Sequence, residues 1–358
     1  MKYEYWFASI RDLKPKQKIE IRSKVNTAKE LYYIEEKKLE EMLGNAELSH
    51  KIRQSVKQWN LEAEYEKLLR KNVEFITIVD SRYPQKFKEI SSPPYAVYVK
   101  GELPKEEVLS VAIVGARKCS PYGEAMAKSF AKELAEHGVQ IISGMALGID
   151  AVSQRAALDA GGKSFAVLGC GVDYCYPREH FGLYQELQVQ GGVISEQPLG
   201  TYPLKQYFPA RNRLISALAD VVLVIEAKEK SGSLITADMA LEQGKDVYAL
   251  PGPVNSMLSR GCHNLIKQGA GILLSPKDFV EELGIFHKKN AKKVAENKIL
   301  LESEENIVYS CLDFEPKNLN QISILTGMTV QKLLNILMDL ELRGYVGEVS
   351  KNYYVKVK

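Results

Sequence analysis

Residues 111–117 read Val-Ala-Ile-Val-Gly-Ala-Arg, an apolar, β-branched run that ends in a glycine and an arginine. Two later stretches, Phe208-Pro-Ala-Arg-Asn-Arg-Leu214 and Ser231-Gly-Ser-Leu-Ile-Thr-Ala237, also join small, hydroxyl or arginine residues to a helical pattern. Such loops direct free helix N-terminal amides, and here guanidinium groups, at an anion. Several of them in one chain predict a surface that holds several phosphates, as a polynucleotide would supply.

Short apolar runs alternate with amphipathic segments of helix length between residues 73 and 283. Runs that are apolar throughout are typical of parallel strands buried on both faces. They occupy residues 75–79, 111–114, 139–142, 164–168, 192–195, 221–225, 246–250 and 271–274. Two segments between them, 122–137 and 150–160, stop at glycines, as helices commonly do. The alternation predicts an α/β fold with a Rossmann-like, doubly wound and mainly parallel sheet over residues 71–285.

Residues 1–70 differ from this pattern and predict a small helical N-terminal domain, because apolar residues recur there at helical spacing among Lys and Glu. A DNA-binding helix-hairpin-helix module would need a glycine-rich hairpin, and Gly44 is the only glycine in this segment. A structural or docking bundle is therefore favoured over a DNA-binding module.

The C-terminal segment, residues 297–358, predicts three helices and a β-hairpin, with Gly327 in the tight turn between the second and third helices. This order is typical of a winged helix-turn-helix domain. Residues 286–296, which include a run of lysines, predict a basic linker between the two domains.

Composition limits the function classes. The chain has 48 Lys and Arg against 45 Asp and Glu, so affinity for nucleic acid must come from a local basic patch. No apolar run approaches the ~20 residues of a membrane span, and the first residues lack a signal-peptide core. Five cysteines without a CxxC pair predict a reducing compartment, the cytoplasm. Cys170 and Cys175 have only His180 nearby, so no metal site is predicted.

Candidate phosphate ligands fall where the predicted strands end, the edge at which open α/β sheets bind ligands. They are Gly115, Arg117, Ser143, Gly144, Phe208, Arg211, Asn212, Arg213, Ser231, Gly232 and Ser233. An alternative reading has Arg211 and Arg213 bracing the sheet through Glu196 or Glu226. Phe208 is a candidate base-stacking face, with a place in the core as its alternative.

Two nucleotide motifs fail on inspection. Gly162-Lys-Ser164 resembles the end of a P-loop but precedes a strand, and Gly169-Cys-Gly171 lacks the third glycine of a dinucleotide fingerprint. Four carboxylates lie on the same predicted edge: Asp150, Asp173, Glu196 and Glu226. They are candidates for acid–base work on a glycosidic bond, but structural roles are favoured.

Seven motifs, in order along residues 72–275, resemble the DNA-processing protein A (DprA/Smf) family. They are Gly115-Ala-Arg117, Ser143 to Asp150, Ala166 to Pro177, Ile194-Ser-Glu196, Phe208 to Arg213, Ser231 to Ala237, and Pro251-Gly252 with Ser259-Arg-Gly261. Three positions depart from the family pattern, which has serine at Ala116, commonly histidine at Gln154 and commonly asparagine at His180. None of these departures removes an arginine or a glycine of the motifs.

The resemblance implies a non-catalytic protein without a cofactor that binds single-stranded DNA in a basic pocket. It further implies a homodimer that loads a RecA-type recombinase onto the strand during natural transformation and homologous recombination. By position, Arg117 and Lys163 look like the DNA-contacting basic residues of the family, and residues 211–213 and 231–233 would complete the phosphate site.

Two rival functions remain. One is a nucleotide phosphoribohydrolase of the lysine-decarboxylase-like group, whose Rossmann-like fold is similar. That group expects a Pro-Gly-Gly-x-Gly-Thr loop followed by a catalytic glutamate, whereas this chain has Ser231-Gly-Ser-Leu-Ile-Thr-Ala237. The other is a transcription regulator led by the winged helix. Its third helix carries Lys332 but also Asp339 and Glu341, which favours protein docking or a modest DNA-assisting role over reading of the major groove.

Overall fold

The computed structural model describes residues 1–285, 303–313, 316–350 and 352–356. The described residues up to 285 form one compact unit, and those from 303 onward form a second. The predicted linker 286–296 and the residues that follow it up to 302 lie outside the described residues.

A nine-stranded sheet organises the first unit. Its strands are β1 (Glu74–Thr77), β2 (Ala96–Gly101), β3 (Ser110–Val114), β4 (Gln140–Ser143), β5 (Ser164–Val167), β6 (Gly191–Ser195), β7 (Val221–Val224), β8 (Asp246–Ala249) and β9 (Gly271–Ile272). The order is β1-β2-β6-β5-β4-β3-β7-β8-β9, and the seven strands from β6 to β9 are parallel. The predicted Rossmann-like, mainly parallel sheet is thereby confirmed.

Strand β2 was not predicted from the sequence. This strand pairs antiparallel with β1 on one side and with β6 on the other, so that Tyr98 lies opposite both Phe75 and Ser195. It follows a Pro-Pro pair and ends in lysine and glycine, which obscures the short apolar run. The two antiparallel strands extend the parallel sheet on the side of the N-terminal helices.

Helices cover both faces of the sheet. They are α7 (Gln85–Lys88), α8 (Pro121–Glu136), α9 (Ile149–Asp159), α10 (Phe181–Gln190), α11 (Tyr207–Leu218), α12 (Gly232–Glu242), α13 (Arg260–Lys267) and α14 (Pro276–Glu282). Strand β3 shows why two layers form, since its successive side chains point to opposite faces. Val111 and Ile113 belong to the core with α8, whereas Ala112 and Val114 belong to the core with α11.

The order of the strands reverses at β3. The chain steps from β3 through β4 and β5 to β6 on one side, then returns to place β7 beside β3 on the other. Connections that leave in opposite directions open a crevice beyond the carboxyl ends of these two strands. The residues that follow β3 and β7 therefore line one crevice.

Six helices precede the sheet: α1 (Lys2–Ala8), α2 (Pro15–Ser23), α3 (Ala28–Tyr33), α4 (Glu36–Leu43), α5 (Ala46–Gln58) and α6 (Leu61–Arg70). Aromatic side chains fix them to β2 and its flank. The Tyr5 and Tyr98 rings are 6.2 Å apart, and the Phe7 and Tyr95 rings 5.2 Å, both edge to face. The N-terminal helices and the sheet thus share one hydrophobic core.

The second unit contains α15 (Ser303–Cys311), β10 (Lys317–Asn318), α16 (Leu319–Thr326), α17 (Val330–Leu342), β11 (Val346–Ser350) and β12 (Tyr353–Lys356). Gly327 ends α16 in the left-handed conformation, at φ 70°, as the predicted turn requires. Val308, Ile322 and Leu337, one from each helix, are fully buried together. The predicted winged helix is confirmed. None of the described helices is long and apolar enough to cross a bilayer.

Lys18 of α2 is buried in the contact between the N-terminal helices and the sheet, where its ammonium donates to the carbonyl of Ala8. Burial lowers the pKa of Lys18 from 10.5 to about 8, although Glu196 opposes the shift. The unfolded chain therefore binds this proton more tightly than the folded chain does between pH 8 and 10.5. The folding stability contributed by this position rises with pH through that window.

Lys18→Met is expected to remove this gain, because methionine carries no titrating group into the core. In urea denaturation, the wild-type free energy of unfolding should rise from pH 8 to pH 10 relative to that of the variant. The exposed Lys29→Met is the control and should follow the wild type. Equal pH dependence in Lys18→Met and wild type would show that Lys18 is hydrated in the folded protein.

Candidate nucleic-acid interface

A cleft of about 490 Å³ lies at the carboxyl ends of β3 and β7 and is named here the switch-point cleft. The predicted residues that line it are Gly115, Arg117, Phe208, Arg211, Asn212, Ser231, Gly232 and Ser233; Asp150, Tyr176, Lys205 and Lys230 line it as well. Four of these residues are cationic and one, Asp150, is acidic, so the cleft carries a strong positive excess on a nearly neutral protein.

Arg211 forms the floor of the cleft and is only 5% exposed. Its Nη1 donates to the carbonyl oxygens of Gly144, at 2.9 Å, and of Val167. These carbonyls follow β4 and terminate β5, so one guanidinium ties two strand ends to α11. Burial lowers the pKa of Arg211 to about 10, which still leaves the group charged at neutral pH. Arg211 braces the sheet as the alternative supposed, but that alternative was wrong about the partners, which are these carbonyls and neither Glu196 nor Glu226.

Asp150 lies in the first turn of α9 beside this arginine. Its Oδ2 accepts the Gly144 N–H at 3.1 Å, so the carboxylate and Arg211 hold Gly144 by its N–H and its C=O. Burial raises the pKa of Asp150, and the charge of Arg211 opposes that rise. The carboxylate is committed to the backbone, which agrees with the structural role favoured for it.

Two aromatic rings and an exposed arginine form one wall of the cleft. The Phe208 and Tyr176 rings lie 5.5 Å apart at an angle of 36°. The Arg117 guanidinium lies 5.8 Å from the centre of the Phe208 ring, within cation–π range. Phe208 is half-buried and borders the cleft, so its position differs from the core alternative.

The start of α12 supplies hydrogen-bond donors to the opposite wall. Ser231 caps the helix, with its Oγ 2.8 Å from the Oγ of Ser233. Asn212 Nδ2 donates to the Gly232 carbonyl at 3.2 Å, which links α11 to this turn. A helix N-terminus with adjacent hydroxyl groups is a favourable site for an anion.

Glu226 positions the loop that carries Arg117. Its two carboxylate oxygens accept the backbone N–H and the hydroxyl of Ser120, at 2.9 and 2.5 Å. Since Ser120 caps α8, this carboxylate joins the end of β7 to the turn after β3. Glu226 therefore has the structural role that sequence analysis favoured.

Four predicted site residues lie outside the lining of the cleft. Ser143 is fully buried, where its hydroxyl donates to the Ile113 carbonyl, and Gly144 lies beneath Arg211. Arg213 makes a two-pronged ion pair with Glu196, at 3.1 and 2.6 Å, so the bracing alternative holds for this arginine. Lys163 precedes β5, hence lies at the opposite edge of the sheet, and pairs with Glu102.

Two cations and one aromatic residue of the cleft were not predicted from the sequence: Lys205, Lys230 and Tyr176. Both lysines are exposed, and each lies within three residues of a motif that was recognised, namely Phe208 and Ser231. Proximity to those motifs was the available signal. Tyr176 belongs to the recognised Tyr-Pro motif, but nothing in its sequence context placed its ring beside Phe208.

The candidate carboxylate Asp173 and the buried thiols of Cys170 and Cys262 are poorly suited to acid–base or nucleophilic chemistry. Asp173 accepts the Gly200 N–H and pairs with Lys71 at 2.5 Å. Burial raises the pKa of the Cys170 and Cys262 thiols to about 12, which keeps them protonated. Within the described ranges, no cluster of three His, Cys, Asp or Glu side chains could hold a metal ion. The geometry suits binding of an anion.

Two of the departures from the family pattern lie close to the floor of the cleft. Gln154 is fully buried one helical turn after Asp150, and its amide has no hydrogen-bond partner among the described residues. The Nδ1 of His180 lies 3.0 Å from the Met145 carbonyl. Neither side chain lines the cleft.

A larger open groove, of about 1050 Å³, runs between α8, α9 and α10. Its charged lining is nearly balanced, with Glu124, Glu136, Asp159 and Glu179 against Lys128, Lys132 and Arg155. It lacks the excess of one charge that attracts a polyanion. The switch-point cleft is therefore the better candidate interface.

Comparison with known proteins gives the family. The profile described as DNA recombination-mediator protein A matches residues 74–284, and that of the DprA winged helix domain matches residues 294–350. The chain belongs to the DNA recombination-mediator protein A family. Protein Smf of Escherichia coli is 39% identical over 280 residues, which cover 76% of this chain and 74% of that protein. DNA processing protein DprA of Streptococcus pneumoniae is 42% identical over 206 residues, or 58% of this chain and 73% of that protein.

Two solved structures of family members resemble this one. The structure of DprA from Streptococcus pneumoniae aligns with a TM-score of 0.69 at 33% identity, over 79% of this chain and 98% of that chain. DNA processing protein A from Helicobacter pylori, whose structure concerns its single-stranded DNA binding mode, aligns with a TM-score of 0.54 at 32% identity. That alignment covers 60% of this chain and 98% of that chain. The recombination-mediator family thus shares the fold that carries the cleft.

The third helix of the winged helix, α17, presents an apolar row to solvent. Val330, Leu334, Met338 and Leu342 are exposed at intervals of four residues. Its cation Lys332 pairs with Glu304 at 2.5 Å. A helix that reads the major groove presents polar or basic groups to base edges. The exposed row favours the protein-docking role for this unit.

Gly144→Ala is expected to destabilise the protein, because a β-carbon at this position would lie 2.7 Å from Cζ of the buried Arg211. The guanidinium cannot withdraw without losing its two carbonyl acceptors, so we expect a loss of about 1–3 kcal/mol in the free energy of unfolding. Urea denaturation measures it. Gly182→Ala on α10 is the control, since its β-carbon would meet only the end of Arg155 at 4.0 Å. Equal stability of the two variants would show that Arg211 does not fix Gly144.

Proposed function

We propose that this protein binds single-stranded DNA in the switch-point cleft and acts in recombination without catalysing a reaction. One observation carries the proposal: four cations and two aromatic rings converge on a single cleft at the carboxyl edge of the sheet. Cations attract the phosphate backbone, and aromatic side chains stack on bases of any sequence. The expected ligand is thus a strand of DNA with little sequence preference.

The aromatic wall supports a single strand over a duplex. Phe208 and Tyr176 can offer a ring face only to a base that has left its own stack. A duplex keeps its bases stacked and paired, and would meet only the cations at the rim. The Helicobacter pylori relative, reported with a single-stranded DNA binding mode, supports the same choice.

The proposal includes loading of a RecA-type recombinase, which fits the description of the family as recombination mediators.

The proposal also includes self-association as a homodimer. The edge position of β9 supports this step, because Ile272 of the strand and Leu274 just after it are exposed, and an edge strand can pair with a further strand. An edge of this kind can pair with its own copy across a two-fold axis. A role on recombination substrates assigns the protein to the cytoplasm.

Arg117→Glu is expected to weaken binding of a labelled oligothymidylate by roughly tenfold or more, because it places a negative charge beside the phosphates. Fluorescence anisotropy across a salt series measures the effect, with single strand compared with duplex. Wild-type binding should favour the single strand and weaken steeply as salt rises.

Lys163→Glu is the matched control for that experiment. It makes the same charge reversal at the opposite edge of the sheet, and should bind as the wild type does. If both variants lose affinity equally, the effect is one of net charge and the cleft is not the site. Wild-type protein that binds no single strand would overturn the proposal.

A second experiment tests the recombinase step. On single-stranded DNA already covered by a single-strand-binding protein, wild-type protein should shorten the lag before the DNA-dependent ATPase activity of a RecA-type recombinase appears. Arg117→Glu should leave the lag unchanged, because it cannot hold the strand. If wild type and Arg117→Glu shorten the lag equally, recombinase loading does not depend on DNA binding in the cleft.

A further inference from the structure

A second pocket, of about 280 Å³, lies between the N-terminal helices and residues 198–200, and is named here the N-terminal pocket. Three cations, Arg11, Lys67 and Lys71, line it together with one carboxylate, Glu64. Lys67 pairs with Glu64, whereas Arg11 is exposed and makes no ion pair with any described residue. Lys71 pairs with Asp173, so the positive excess of the N-terminal pocket rests on Arg11.

Trp59 adds an unused hydrogen-bond donor to the same pocket. Its ring packs edge to face on Tyr5, at 5.7 Å, and both residues line the pocket. The indole Nε1 is buried and has no acceptor within the described part of the chain. A buried N–H without a partner is costly, and an oxygen of a bound ligand would satisfy it. Cations with a free donor suit a phosphate group.

Two tyrosines pack on each other, and one of them, Tyr202, lies along the chain between lining residues of the two pockets. The Tyr174 and Tyr202 rings are 4.9 Å apart at an angle of 38°, and Tyr202 is 66% exposed. Tyr174 is partly buried against the core that the N-terminal helices share with the sheet, whereas Tyr202 belongs to none of the hydrophobic clusters of this unit. An exposed ring supported by a second ring offers a flat face on which an unpaired base can stack.

One loop connects these features. Pro198 and Gly200 line the N-terminal pocket, Lys205 lines the switch-point cleft, and Tyr202 lies between them in sequence. The five steps from Gly200 to Lys205 span at most about 18 Å of extended chain. That distance corresponds to about five nucleotides at the ~3.4 Å rise of one DNA strand. A short oligonucleotide can therefore reach both pockets.

Hydrogen bonds hold this loop against its neighbours. The Gly171 N–H donates to the Thr201 carbonyl at 2.9 Å, and Asp173 accepts the Gly200 N–H at 3.0 Å. Lys71 of the N-terminal pocket pairs with Asp173, at 2.5 Å. The tyrosine pair is thereby fixed in place before any ligand binds, which reduces the entropy lost on binding.

We propose that a single strand bound in the switch-point cleft continues over the Tyr174–Tyr202 pair and places a phosphate in the N-terminal pocket. The proposal rests on single-stranded DNA binding in the cleft, and it gives the N-terminal helices a direct part in that binding. One base stacks on Tyr202, and Arg11, Lys67 and the Trp59 indole contact the phosphate that follows.

Two labelled oligothymidylates test this path, one of about four nucleotides for the cleft alone and one of about sixteen for the whole path. Tyr202→Ala should bind the longer strand roughly tenfold more weakly, because a stacking face is lost, while its affinity for the shorter strand stays unchanged. For the longer strand only, Arg11→Ala should make the slope of log affinity against log salt concentration shallower by about 0.7, the value expected for one lost phosphate contact.

Matched controls separate the path from general effects. Tyr33→Ala removes a tyrosine of similar exposure, 64%, and Lys29→Ala removes an exposed cation outside both pockets. Both should bind as the wild type does, and Tyr202→Phe, which keeps the ring, should retain wild-type affinity.

The outcomes distinguish this proposal from the one on which it rests. If the wild type binds both strands but Tyr202→Ala and Arg11→Ala match their controls, the path is wrong and the cleft still binds DNA. If Tyr202→Ala weakens both strands equally, the tyrosine supports the cleft and the path is wrong. If the wild type binds neither strand, DNA binding in the cleft fails and the path fails with it.

Discussion

The buried guanidinium of Arg211 is the constraint on which the cleft depends. It holds the carbonyls of Gly144 and Val167, while Asp150 holds the N–H of the same glycine. Three strand-to-helix connections therefore meet at one charged group. Because the guanidinium is buried, leaving it without partners would be costly. Because the charge is committed to the backbone, it shapes the floor, and the exposed cations Arg117, Lys205 and Lys230 remain available to a ligand.

The arrangement explains how a protein with a net charge of only +3 can attract a polyanion. Four cations line the cleft where the strand order reverses, while the nearby acidic residues Glu226 and Glu196 bind Ser120 and Arg213. Local charge and ring faces, rather than the field of the whole molecule, decide the kind of ligand. The winged helix differs in this respect, because α17 exposes a row of apolar side chains and not a row of basic ones.

Much of the fold could be predicted from the sequence, because buried parallel strands leave apolar runs that glycine-terminated helices separate. Strand β2 could not, although it is the longest of the nine, since it is antiparallel to both neighbours, follows two prolines and ends in Lys100 and Gly101. In the site, the glycine and arginine motifs identified loops that meet at one cleft in the structure. The sequence does not show which way each side chain points. Arg213 points to Glu196, and Ser143 points into the core. Lys163 is a different case, because its place directly before β5 was visible in the sequence and puts it at the edge opposite the cleft; only the family resemblance made it a candidate.

The pairing of β3 with β7 also has a consequence for synthesis. The backbone of Ser110 at the start of β3 donates to Asp220, 110 residues later in the chain. At ordinary rates of translation, roughly 5–20 s pass between the emergence of these two residues from the ribosome. During that interval, β3 has an open edge and neither Arg211 nor the start of α12 is in place. The cleft is therefore complete only after Ser233 has been made, and until then the half-built sheet exposes an edge that can pair with other strands.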